Sequence, residues 1–128
     1  MPVELNHTIV SASKPGVSAR FMADILGLDP PTRFGPFHVV RTANDVSLDF
    51  MQANDDITPQ HYAFLLTEPE FDEVFGRITS LGLDHWADPG KRESGAINHN
   101  DGGRGVYFED PDGHMLEIIT RPYGSGSA

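Results

Sequence analysis

The 128-residue sequence predicts an α+β fold built twice from the same pieces. Three observations carry that prediction. Alternation of apolar and polar residues marks a series of short strands, two stretches with apolar residues at helical spacing interrupt them, and the order strand, helix, strands runs twice. The two passes also match residue by residue. His7 and Pro15 correspond to His61 and Pro69 at one common offset, Gly27-Leu28-Asp29 returns as Gly82-Leu83-Asp84, and Leu48-Asp49-Phe50 matches Leu116-Glu117-Ile118. One domain is expected over residues 1–122, with one module at about 4–53 and a second at about 60–121.

Residues 4–11 read as the first strand, with Leu5, His7 and Ile9 on one face and Asn6, Thr8 and Val10 on the other. A helix follows, with Ser13 as its cap, Pro15 in its first turn and Gly27 as its stop; Val17, Phe21, Ile25 and Leu26 form its apolar stripe. Pro30-Pro31 then breaks the chain. A short strand is expected at 31–34, a longer one at 36–42, and its partner at 46–52 across the Ala43-Asn44-Asp45 turn. In that partner Leu48 and Phe50 face one way, Ser47, Asp49 and Met51 the other.

Residues 60–66 begin the second pass. Thr67 with Glu70 is a capping-box signature, and Phe71, Val74, Phe75, Ile78 and Leu81 make a helical stripe up to Gly82. Residues 83–102 are polar and turn-rich, with one or two short strands expected around Trp86 and Ile97. A hairpin closes the pass, its arms at 105–109 and 114–120 joined through Pro111-Asp112-Gly113. Residues 123–128 read as a flexible tail.

Charge and composition narrow the function. Nineteen acidic against nine basic residues give a formal net charge of −10, which disfavours nucleic acid as a partner. No apolar run approaches the roughly 20 residues that span a bilayer, and no leader opens the chain, so a cytoplasmic protein is expected. Without cysteine, any metal site must use His, Asp and Glu.

The residue that asks for explanation is Glu117. It shares its strand face with Met115 and Ile119, and an unpaired carboxylate buried there costs several kcal/mol or must protonate. A cation, a donor or a metal would answer it. The repeat offers candidates at equivalent strand positions, His7 and Asp49 in the first pass and His61 beside Glu117 in the second. Two imidazoles with one or two carboxylates suit Zn, Ni, Mn or Fe(II). His7, His61 and Glu117 are therefore the candidate ligands, with Glu117 and Asp49 as candidate proton carriers. Phe37, Trp86, Tyr107 and Arg104 are candidates for lining a substrate pocket. His114 reads as a turn histidine, and His38, His85 and His99 as surface residues.

Leu5-Asn6-His7, Gln60-His61-Tyr62-Ala63-Phe64 and the run from Tyr107 through Asp110-Pro111-Asp112-Gly113-His114 to Glu117 resemble the vicinal oxygen chelate superfamily. That group includes glyoxalase I, fosfomycin-resistance thiol transferases, extradiol dioxygenases and bleomycin-resistance binding proteins. The resemblance covers residues 4–121. It implies two βαβββ modules in tandem curling a mixed sheet around a cavity, commonly with a homodimer completing each site. It also places His7, His61 and Glu117 on the metal-ligand positions and Asp49 where glyoxalase I has a fourth, glutamate ligand. The departures are Asp49 for that glutamate, Ile9 where the fosfomycin enzymes have threonine, and the long segment 88–102 before the hairpin.

Two function classes follow. One is a divalent-metal-dependent enzyme of the glyoxalase or dioxygenase type, acting on a small molecule chelated through neighbouring oxygens. The other is a metal-free protein that sequesters an antibiotic or natural product, drawn in by the acidic surface.

Overall fold

The computed structural model describes residues 2–126 and divides into two compact units that meet in sequence at Thr58 and Pro59. That division falls between the expected modules. Unit 1 contains β1 (His7–Ala12), α1 (Pro15–Leu26), β2 (Thr32–Phe34), β3 (Phe37–Arg41) and β4 (Ser47–Gln52). Unit 2 contains β5 (His61–Leu65), α2 (Glu68–Ser80), β6 (His85–Trp86), a 3₁₀ turn at Asn100–Gly102, β7 (Gly105–Glu109) and β8 (Met115–Ile119). Each unit is thus a βαβββ module, and its sheet is mixed. The strand orders are β1-β4-β3-β2 and β5-β8-β7-β6, with the first strand parallel to the last and the remaining pairs antiparallel.

The core of each unit lies between its helix and one sheet face. In unit 1, Val10, Ala12, Val40, Leu48 and Phe50 are buried with Ala19, Met22, Ala23 and Ile25 of α1. In unit 2, Val106, Phe108, Leu116 and Ile118 are buried with Phe71, Val74 and Ile78 of α2. Because strand side chains alternate, every second residue turns away from the helix. The other face carries the candidate site residues with the exception of Arg104.

Several local expectations need correction. The first strand begins at His7, and the residue before α1 is Lys14, one place beyond the expected cap Ser13. The buried stripe of α1 is Ser18, Ala19, Met22, Ala23 and Ile25, while Val17 stands 57% exposed. At the end of α2, Leu81 is likewise exposed. Around Ile97 there is no strand, only a bridge between Asn98 and Gly105. That bridge explains the glycine: a Cβ on Gly105 would come within 2.8 Å of Asn98 Oδ1.

The tail is tied down in part. Gly124 and Gly126 donate their N–H groups to the Asp101 carboxylate at 3.1 and 3.0 Å. Residues 127–128 of the expected flexible segment lie outside the described residues. Other expectations match. Gly27 ends α1 in the left-handed conformation, and Thr67 and Glu70 form a complete capping box.

Candidate functional site

Strand register builds the site in unit 2. Glu117 on β8 pairs with Ala63 on β5 and with Tyr107 on β7, and Tyr107 in turn pairs with Trp86 on β6. Paired residues lie side by side, so Ala63, Glu117, Tyr107 and Trp86 form one row across the face turned away from α2. His61 shares that face one step along β5, opposite Met115. Its ring reaches diagonally, and Nε2 lies 3.1 Å from Glu117 Oε1.

The carboxylate that looked misplaced in the sequence therefore has two partners. Besides His61, the Tyr107 phenol is hydrogen-bonded to it; burial first, and then this bond and the carboxylate charge, push Tyr107 up to about 12. The rings of His61 and Tyr107 stack with centroids 5.9 Å apart. His61 Nδ1 donates to the Met115 carbonyl at 3.1 Å, which fixes the ring orientation and directs Nε2 at Glu117. At the far end of the row, Lys91 sits over the Trp86 ring at 5.0 Å and bonds Glu109 at 2.9 Å.

Unit 1 has the same register. Asp49 on β4 pairs with Ile9 on β1 and Val39 on β3, and Val39 pairs with Thr32. His7 lies opposite Ser47, with its Nδ1 2.7 Å from Asn6 Oδ1. Asp49 is 9% exposed, and its Oδ1 is buried without a hydrogen-bond partner. By strand parity Phe37 and Arg41 share this face.

One candidate site residue, Arg104, behaves otherwise than the sequence suggested. Arg104 falls on the helix side of β7, where its guanidinium bonds Glu68 and Asp72 at 2.8 Å each and covers the Phe71 ring at 4.4 Å. It pins α2 to the sheet and is turned away from Glu117. Arg41 lies on the face of unit 1 that carries Asp49. His114, read as a turn histidine, follows the Asp110–Gly113 turn and is 1% exposed within unit 2.

Imidazole nitrogen and carboxylate oxygen at 3.1 Å are a fitting donor pair for a divalent metal. Among the described residues, no three of His, Asp or Glu gather closely enough to hold one. Unit 2 thus brings His61 and Glu117 together, while His7 and Asp49 stand on the matching face of unit 1.

Comparison with known proteins agrees with this geometry. A family model described as "Glyoxalase/Bleomycin resistance protein/Dioxygenase superfamily" matches residues 4–118. The solved structure of Oxidase ChaP-H1 is 67% identical, covering 96% of this chain and 99% of that one, with a TM-score of 0.94. Oxidase ChaP-H2 is 61% identical over 99% of this chain and 100% of that one, with a TM-score of 0.96. Glutathione transferase FosA of Serratia marcescens is 30% identical over 121 residues, 89% of this chain and 78% of that protein. Among the described residues no helix is long and apolar enough to cross a membrane.

Proposed function

Since the chain belongs to the glyoxalase/bleomycin resistance protein/dioxygenase superfamily, we propose that it is a divalent-metal-dependent enzyme that oxidises a small molecule bound through two neighbouring oxygens. The observation that carries this reading is the contact between His61 Nε2 and Glu117 Oε1 on the face turned away from α2. The names of the two oxidases support an oxidation with dioxygen as oxidant. A pure binding protein would have no use for an imidazole and a carboxylate held together on that face.

His7, His61 and Glu117 are the proposed ligands. A divalent ion so held, Zn, Ni, Mn or Fe, supplies Lewis-acid polarisation of the substrate oxygens. The protein's own groups do the rest. Glu117 can take a proton from a substrate hydroxyl, and Tyr107, bonded to it, keeps its carboxylate turned to the site. Asp49, buried with an unpartnered oxygen, is the second proposed proton carrier. Phe37, Trp86 and Tyr107 offer flat apolar surface against which a planar substrate is oriented. We propose Arg41 in place of Arg104 as the cation that meets substrate oxygens. A homodimer in the cytoplasm is the proposed state, and light scattering on the purified protein reads its mass.

The test is metal analysis with dioxygen uptake. Protein purified without chelator is expected to hold about one divalent metal per His61–Glu117 pair and to consume dioxygen with catechol-type compounds. His61→Ala should lose both. Metal-free protein whose ligand binding is untouched by chelator would return the reading to sequestration.

A further inference from the structure

We infer that His114 is a positioning residue for His61, acting through the backbone of Gln60; this rests on the metal-binding reading above. The ring lies on the core side of unit 2, edge-on to Tyr62 at 5.9 Å, and does not reach the site face. Its Nδ1 accepts the Gln60 backbone N–H at 3.0 Å. An amide offers only a proton, so Nδ1 presents its lone pair and the ring proton sits on Nε2.

The neighbouring bonds show what is being held. Met115 N donates to the Gln60 carbonyl at 2.9 Å, and His61 Nδ1 donates to the Met115 carbonyl at 3.1 Å. The dipeptide His114-Met115 therefore grips Gln60-His61 at three points, two on the backbone and one on the ligand's own ring. His114 is itself anchored by Asp110, whose Oδ1 accepts the His114 N–H at 2.8 Å and whose N–H donates to the His114 carbonyl at 3.0 Å. Burial pushes the Asp110 carboxyl up, while the His114 N–H pulls the other way.

The grip matters because β5 is an edge strand, with β8 as its one neighbour in the sheet. His61 is its first residue, where a strand end frays most easily. A metal ligand has to be held within about 0.5 Å of its working position. Unit 1 supplies the internal comparison. There Ser47 N donates to the Asn6 carbonyl at 3.0 Å, matching the Met115–Gln60 bond, but Val46 stands where His114 would and its side chain has no acceptor to offer. In that half His7 turns its Nδ1 to Asn6 Oδ1 at 2.7 Å and not to the strand alongside.

Cobalt(II) titration, followed by visible absorption on the full chain, tests the inference alongside thermal unfolding. His114→Leu fills the space without an acceptor and should weaken cobalt binding about 10- to 100-fold. His114→Asn offers Oδ1 in place of Nδ1 and should restore most of the affinity. A merely packing role would lower the melting temperature of both variants and leave the affinity of the folded protein alone. Wild-type affinity in His114→Leu, or no recovery in His114→Asn, overturns the inference while leaving the metal site standing. Wild type that binds no cobalt overturns the functional reading itself, and this one with it. Should His114→Leu fail to fold, long-range proton–nitrogen NMR on wild type decides: the proton is expected on Nε2 of His114, and a proton on Nδ1 refutes the grip.

Discussion

Set side by side, the two sheets show how one scaffold carries different chemistry. The row Ile9, Asp49, Val39, Thr32 in unit 1 answers, strand for strand, to Ala63, Glu117, Tyr107, Trp86 in unit 2. Position is conserved between the halves, and equipment is not. Glu117 meets an imidazole and a phenol, while Asp49, one methylene shorter, keeps a buried oxygen with no partner. A phenol in one row stands where the other has an isopropyl group. The backbone sets where a side chain can act, and a few side chains decide whether it does.

The largest expected effect tests that asymmetry directly. Glu117→Ala should reduce metal affinity by more than about 100-fold and Asp49→Ala by less than about tenfold, both read by cobalt titration. Equal losses would make the two carboxylates equivalent. Next is Tyr107→Phe, which removes the bond to Glu117 but keeps the ring. Affinity or turnover should fall about tenfold. No change would mean that Val39 and Tyr107 are interchangeable in this respect.

Stability offers two smaller contrasts. Asp49→Val removes an unsatisfied buried oxygen and should raise the stability of metal-free protein by about 1–2 kcal/mol in urea unfolding. A loss would show that the carboxylate has a partner in solution. At the helix starts, Thr67→Ala breaks the capping box of α2 and should cost about 1 kcal/mol. Lys14→Ala, at the residue before α1 whose own side chain makes no cap hydrogen bond, should cost much less.

The smallest effect is in pH. His38 of unit 1 is held below the ordinary imidazole value, chiefly by burial and then by Arg33. Its folded form resists protonation, so the stability involved is complete above 6.5 and is lost as pH falls from there toward the lowered value. In unit 2, Glu68 is lowered by hydrogen bonds from Thr120 and Arg104, and Glu70 by the Thr67 backbone N–H and hydroxyl. Their contribution is complete above the usual carboxylate value and is lost as pH falls through the lowered ones. Melting temperature against pH should therefore decline in two separate windows, and His38→Gln should erase the upper one.

Much of this was legible because strands and helices announce themselves locally. The capping box, the Gly27 stop, the hairpin arms and the repeat all depend on neighbours in sequence. Glu117 was legible too, as a charge on an apolar face. The row around it was not, since register between β5, β8, β7 and β6 joins residues far apart in the chain. Arg104 was misjudged and the burial of His114 missed for a related reason, although a signal existed. Arg104 has the parity of Val106 and Phe108, and His114 that of Leu116 and Ile118, so both belong on the core side. The start of α1 misled because the chain is still extended at Lys14, with φ −136° and ψ 84°, one residue beyond the expected cap.

One consequence of the strand order concerns assembly in time. In unit 2 the last strand made, β8, is inserted between β5 and β7, and the His61–Glu117 contact spans 56 residues. Until β8 emerges from the ribosome, β5 has no neighbour and the pair does not exist. Unit 1 closes its own sheet at β4, while unit 2 is still being translated. A stall or truncation between residues 66 and 117 then yields one finished half and one open edge, with Glu117 absent.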